Sequence, residues 1–126
     1  MPFARWLPDH PGIRIFDTLF FLARAPDDAA PTVDATETVR LLWTTAADML
    51  AAADRGDAAI IFPTRRNLER LAQFDSFDAA VANARAYPVR TITPHMEVRD
   101  GVPHLCLPDD SGYPVTAEPI EAVRRG

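Results

Sequence analysis

Residues 13–23 read IRIFDTLFFLA, and this short, aromatic-rich run decides the fold. Its apolar residues show no 3.6-residue period, which is typical of a β-strand buried on both faces. Such a strand needs a partner on each side and cover over each face. The short helices and the hairpin that the chain supplies cover it incompletely. The sequence therefore predicts that a missing N-terminal half or a homodimer mate completes the domain.

The segments around this strand are extended or loop-like. Three prolines predict an extended, turn-rich start over residues 1–12. The acidic residues 24–36 predict a solvated loop. Residues 38–43, TVRLLW, are β-branched and apolar, so they predict a second strand.

A capping residue precedes each of three predicted helices, and a side-chain oxygen at such a position accepts a hydrogen bond from a free backbone N–H of the first turn. Thr44 or Thr45 is the predicted cap of a helix over residues 46–54. Thr64 is the predicted cap of a second helix, with apolar positions at Leu68, Leu71 and Ala72. Asp75 or Ser76 is the predicted cap of a third helix, which ends at Tyr87 and Pro88.

The dipeptide Asp100-Gly101 predicts a two-residue hairpin turn between residues 89–98 and 102–107, because a type I′ turn needs positive φ at both central residues. After Pro108 the sequence predicts loop, with at most a frayed turn over residues 118–125. Strands alternating with helices and a terminal hairpin indicate an α/β fold with a mixed sheet and two to three short helices.

The composition is that of a globular domain. The chain has 126 residues, 48% hydrophobic and 25% charged, with a net charge of −5 that argues against nucleic acid as a partner. Cys106 is the single cysteine, which excludes an intrachain disulfide. No signal-peptide pattern and no membrane-length apolar run appears, so we expect a cytoplasmic protein without membrane attachment.

The predicted hairpin places His95, Glu97, His104 and Cys106 on one face, since Glu97 would stand opposite His104 and His95 opposite Cys106. Two imidazoles, a carboxylate and a thiol form a candidate zinc set. The alternative is an ordinary half-exposed hairpin with Met96, Val98 and Leu105 on its core face.

Two stretches, residues 14–23 (RIFDTLFFLA) and 63–68 (PTRRNL), resemble the motifs R-F-D-T-x-F-F and P-T-x-R-x-L that follow the catalytic segment of Nudix hydrolases. The resemblance spans residues 5–113, ending at Asp109-x-x-Gly112-Tyr113, and is greatest to the coenzyme A and acyl-CoA diphosphatase branch. It implies a partial Nudix-like α/β/α sandwich over residues 1–113 with a flexible tail over 114–126. It also implies a bacterial parent enzyme, a pyrophosphatase that hydrolyses a nucleoside diphosphate linked to another group.

The family's Nudix box, the helical segment whose glutamates hold Mg²⁺, is absent from this chain. The chain's glutamates are scattered, with no two adjacent: Glu37, Glu69, Glu97, Glu118 and Glu121. We therefore expect this chain alone to be inactive and to hold no Mg²⁺. The alternative function is a non-catalytic module that binds a ligand or forms homodimers.

The resemblance implies that some residues of this chain contact the substrate, a nucleotide-type small molecule. Arg65 and Arg66, in the first turn after Thr64, would hold a phosphate, or else pair with Glu69 or Asp57. The polar pair Asp17-Thr18 inside an apolar strand would face a cleft or hydrogen-bond a neighbouring loop. Glu37 matches a position that is often acidic in the family and is the candidate base, or else a solvated loop residue.

Overall fold

The computed structural model describes residues 1–8, 17–32 and 41–125, which contain six strands and four helices. The strands are β1 (Pro2–Trp6), β2 (Thr18–Phe21), β3 (Thr91–Ile92), β4 (His95–Arg99), β5 (Val102–Cys106) and β6 (Ala117–Pro119). The helices are α1 (Ala46–Asp54), α2 (Phe62–Leu71), α3 (Phe77–Ala86) and α4 (Ile120–Arg125). The predicted mixed α/β class is confirmed. None of the helices in the described ranges is long and apolar enough to cross a membrane.

The first sheet has the order β2-β1-β3, with β1 antiparallel to β2 and parallel to β3. The sequence assigned β1 to an extended start, but it is the central strand. Its proline is tolerated because Pro2 is the first residue of the strand, where a missing N–H matters least.

Strand β2 corrects the prediction that residues 13–23 form a strand buried on both faces. It lies at the edge of the sheet among the described residues, and Leu19 and Phe21 are 52% and 62% exposed. Within β2 only Phe20 packs against the core cluster, and Leu22 does so just after the strand. Residues 13–16 lie outside the described residues, as do residues 38–40 of the predicted second strand, and residues 41–43 are exposed and form no strand.

The second sheet has the order β4-β5-β6 and contains the predicted hairpin. Asp100 and Gly101 have φ values of 50° and 76°, and Arg99 pairs with Val102, so the predicted turn and register are confirmed. The predicted loop after Pro108 is wrong over residues 117–125, because β6 pairs with β5 and leads directly into α4.

The helix starts test the predicted caps. The Thr45 hydroxyl accepts from Asp48 N at 3.0 Å before α1, and the Ser76 hydroxyl accepts from Ala79 N at 3.1 Å before α3, so both caps are confirmed. The Thr64 cap is wrong. Helix α2 begins at Phe62 with Pro63 in its first turn, where proline's missing N–H needs no partner.

The core lies between the sheets and α2. The Trp6 ring packs edge-to-face on Phe62 and Tyr113, with centroids 6.0 Å and 5.7 Å apart. The other fully buried members of this cluster are Phe3, Ala4, Ala84, Ile92, Leu105 and Leu107. The predicted core face of the hairpin is confirmed for Leu105, which lies on central strand β5 and is buried. It is wrong for Met96 and Val98, which lie on edge strand β4 and are exposed.

Candidate functional site: the arginine face of helix α2

Helix α2 turns a largely polar face toward the core. Its buried residues recur at nearly helical spacing and are Phe62, Arg66, Asn67 and Arg70. The predicted apolar positions Leu68 and Leu71 are only partly buried, and Ala72 is exposed. The inward face of this helix is therefore built around two guanidinium groups and an amide.

The Arg66 side chain is only 2% exposed and lies between two carboxylates. Its Nη2 donates to Glu69 Oε2 at 3.1 Å and lies 3.1 Å from Glu118 Oε2 on β6. Burial raises the pKa of Glu69, although the charges of Arg66 and Arg65 oppose that shift. Arg66 thus joins α2 to β6 through a mostly desolvated ionic contact.

Arg65 is partly exposed and lies beside a groove of about 490 Å³. Its Nη2 lies 2.6 Å from Asp54 Oδ1, and its Nε lies 3.7 Å from Glu69 Oε2. Glu118 also lines the groove. Pairing with Glu69, the alternative to phosphate binding, is therefore present for both arginines, whereas Asp57 pairs with Arg55.

The predicted phosphate cradle at this helix start needs a correction. Because α2 begins at Phe62, Arg65 lies beyond the first turn and its backbone N–H donates to Ile61 O at 2.9 Å. The backbone N–H of Arg65 is therefore not free to bind an anion. Substrate contact by the side chains of Arg65 and Arg66 stays a prediction.

Asp17 forms a two-point ion pair with Arg5 across the first sheet, with Nε to Oδ1 at 2.9 Å and Nη2 to Oδ2 at 2.6 Å. The pair holds the pKa of Asp17 below its usual value. Its contribution to stability is therefore present above the ordinary aspartate pKa and is lost as pH falls through the lowered value. Thr18 is exposed opposite Trp6. Glu37, the candidate base, lies outside the described residues.

The hairpin brings together three of the four residues of the candidate zinc set. The ligand atoms of His95, Glu97 and Cys106 lie within 4.8 Å of one another, while His104 Nδ1 contacts Val102 O at 2.8 Å and is not part of the group. Burial, followed by the Glu97 carboxylate, raises the pKa of the Cys106 thiol. A zinc ion would have to displace the Cys106 proton, and the zinc hypothesis stays a prediction.

This hairpin cluster also tests whether the chain fits the Mg²⁺ that the family resemblance implies. It is the only cluster of three or more potential ligands within residues 1–8, 17–32 and 41–125. Mg²⁺ prefers carboxylate and other oxygen ligands, and one carboxylate beside an imidazole and a thiol does not meet that preference. The described residues therefore do not fit a magnesium centre.

Sequence reasoning missed a buried polar chain that connects β1, α2 and the loop residue Tyr113. Trp6 Nε1 donates to Tyr113 Oη at 3.1 Å, Tyr113 Oη donates to Asn67 Oδ1 at 2.7 Å, and Asn67 Nδ2 donates to Pro63 O at 3.0 Å. The available signal for its helical part was the spacing of Pro63 and Asn67 at an interval of four, which places both on one helix face.

Comparisons with known proteins give no match, whether by family model, among curated proteins or among solved structures. The resemblance to Nudix hydrolases therefore stays a prediction that rests on residues 14–23 and 63–68.

Proposed function

We propose that this chain is the C-terminal portion of a bacterial Nudix-type hydrolase. The parent enzyme would hydrolyse a nucleoside diphosphate linked to another moiety, with a coenzyme A-like compound as the first substrate to test. The order and spacing of residues 14–23 and 63–68 support the family assignment. The parent's Mg²⁺ ligands would come from its Nudix box, which this sequence does not contain.

The observation that carries this proposal is the uncovered outer surface of β2. Leu19 and Phe21 project on the face away from the core and are more than half exposed, and β2 has no second strand partner among the described residues. Leu41, Leu42 and Trp43 are exposed as well. An unpaired edge with large exposed apolar side chains is the kind of surface that further protein normally covers.

The size of the native protein tests the proposal directly. An antibody raised against this chain, used on a lysate of the native cells, is expected to detect a species well above the 13.9 kDa of the chain. Mass spectrometry of that species should find a Nudix box upstream of Met1. A native species of 13.9 kDa would contradict the proposal.

The isolated chain is expected to be catalytically silent. With Mg²⁺ or Mn²⁺ it should release no phosphate-containing product from coenzyme A, ADP-ribose or NADH, whereas typical enzymes turn over at about 1–10³ s⁻¹. The longer native species, assayed in parallel, is the positive control. Turnover by the isolated chain that EDTA abolishes would show that its own residues form a metal centre.

The open β2 edge also favours a second function, a non-catalytic homodimerising module. Two copies could pair their β2 strands about a two-fold axis and bury Phe21 at the contact. This module would have a native mass of 13.9 kDa per chain and would form a dimer that melts cooperatively. Light scattering then separates the alternatives, because Phe21→Lys should convert such a dimer to monomer while the similarly exposed Val98→Lys, on the other sheet, should not.

A further inference from the structure

Arg70 is a buried cation without a carboxylate partner among the described residues. The residue is 2% exposed and takes part in none of the ion pairs found there. Its Nε donates to Asn83 Oδ1 at 2.8 Å and its Nη1 donates to Phe3 O at 3.0 Å. Its Nη2 is buried and has no hydrogen-bond partner in the described part of the chain. A buried donor of this kind is costly unless something accepts from it.

The surroundings of Arg70 compensate its charge only weakly. The guanidinium carbon lies 3.9 Å from the centre of the Phe3 ring and 5.3 Å from the centre of the Tyr113 ring. Burial lowers the pKa of Arg70, which reports the cost of desolvating the cation. Arg66, the other buried arginine of α2, has two glutamates nearby, whereas Arg70 has no carboxylate partner among the described residues.

A pocket of about 270 Å³ opens beside Arg70. Phe3, Ala4 and Ile92 are apolar residues of its lining, and residues 86–90 line it as well. The remaining charged residues of the lining, Arg90 and Asp110, pair with each other. The unbalanced charge of the pocket is therefore the single positive charge of Arg70.

The backbone at Gly112 lies against the ring of Tyr87, a residue of the pocket lining. Its φ of +87° favours glycine, and a Cβ there would lie 2.9 Å from Cγ of Tyr87, which lines the pocket. The Tyr87 ring can therefore lie directly against the backbone beside the cavity. A residue larger than glycine at position 112 would therefore have to move the Tyr87 ring, which lines the pocket.

We propose that this pocket binds a small organic monocarboxylate with an apolar body. The positive charge of Arg70, which belongs to the lining, attracts the carboxylate, and the apolar body packs against Phe3, Ala4 and Ile92. One buried positive charge matches one carboxylate, and a volume near the lower end of ligand pockets suits a small acid. This inference goes beyond the proposed hydrolase and does not rest on it, because it involves neither a metal nor a diphosphate.

Calorimetric titration of the full 126-residue chain with benzoate and benzamide tests the proposal. The two probes have nearly the same shape and differ in charge. Benzoate is expected to bind saturably at one site, and benzamide at least about tenfold more weakly, because the neutral amide is not attracted by the charge of Arg70. No saturable benzoate binding up to about 10 mM, or equal binding of benzamide, would overturn the proposal.

Two alanine variants on α3 locate the site without touching Arg70. Ala86 is exposed and lines the pocket, so Ala86→Leu should fill the space and weaken benzoate binding about tenfold or more. Ala82 is exposed on the same helix and does not line the pocket, so Ala82→Leu should change binding less than about twofold. Equal affinity of the two variants would mean that benzoate binds elsewhere and would contradict the assignment. None of these binding results bears on the hydrolase proposal, which is tested separately by the mass of the native protein.

Discussion

Replacing Arg66 with methionine is expected to lower the free energy of unfolding by about 3 kcal/mol. The substitution keeps an apolar stem of similar length but leaves Glu69 and Glu118 without their shared cation. Breaking a buried ion pair from one side is costly because the remaining charge stays desolvated. The loss should lie at the lower end of the range for buried ion pairs that lose one partner, because the side chains of Glu69 and Glu118 retain 16% and 18% exposure. Urea denaturation at pH 7 measures it.

Two further variants separate the charge effect from the loss of packing. Arg65→Met, at the adjacent and more exposed arginine, should cost only about 0–1 kcal/mol. The triple variant Arg66→Met, Glu69→Met, Glu118→Met should recover most of the stability lost in Arg66→Met, because no unpaired charge remains. If the triple variant is no more stable than Arg66→Met, the cost comes from packing and the ionic explanation is wrong.

The ionic explanation also fixes the direction in which the stability deficit of Arg66→Met should change with pH. Burial already raises the pKa of Glu69 in the folded chain, and loss of Arg66 removes a charge that opposes that shift. A carboxyl with a raised folded-state pKa binds more protons in the folded state than in the unfolded state. The variant's deficit should therefore shrink as pH falls below the folded-state pKa of Glu69, and grow again as pH rises through it.

Local rules predicted the parts of the fold that local chemistry determines. The Asp100-Gly101 turn fixes the hairpin register because both residues must adopt positive φ. The hydroxyls of Thr45 and Ser76 fix two helix starts because each satisfies a free backbone N–H. The third start was misplaced by the same rule, since α2 begins at Phe62 without any side-chain cap.

Long-range pairing determines the parts that the sequence did not predict. Strand β1 becomes central only through β3, which lies more than 80 residues later and contributes just Thr91–Ile92. Strand β6 has three residues and no distinctive composition, and it is a strand because β5 offers a free edge. Neither pairing leaves a signal within a window of ten residues.

The candidate site was predicted by residue type rather than by environment. The sequence singled out Arg65 and Arg66 but assigned them to a solvated or phosphate-binding helix start, whereas Arg66 is buried between glutamates from two elements. Arg70 was not singled out, because its burial depends on Phe3 and Tyr113, which are far from it in sequence. Arginine on a helix is usually exposed, so only tertiary contacts reveal an inward-facing one.

The two tryptophans of the chain differ in burial, so replacing each of them with alanine gives a matched comparison of stability. Trp6 is 1% exposed, packs edge-to-face on Phe62 and Tyr113, and donates to the Tyr113 hydroxyl, whereas Trp43 is 69% exposed. Trp6→Ala is expected to cost about 3–5 kcal/mol, because it removes the largest side chain of the core and leaves a cavity. Trp43→Ala should change stability by less than about 0.5 kcal/mol.

Urea denaturation of both variants tests this contrast, and Trp6→Phe covers the case in which Trp6→Ala does not fold. Phenylalanine keeps part of the aromatic contact but cannot donate to Tyr113 Oη, so its loss should be intermediate. Tryptophan fluorescence gives an independent check, since the buried indole of Trp6 should account for the blue-shifted emission and the quencher-resistant fraction. If Trp43→Ala proves as destabilising as Trp6→Ala in the isolated chain, the exposed Leu41-Leu42-Trp43 segment is already covered by this chain or a second copy. The surface that supports a missing hydrolase half would then be smaller than proposed.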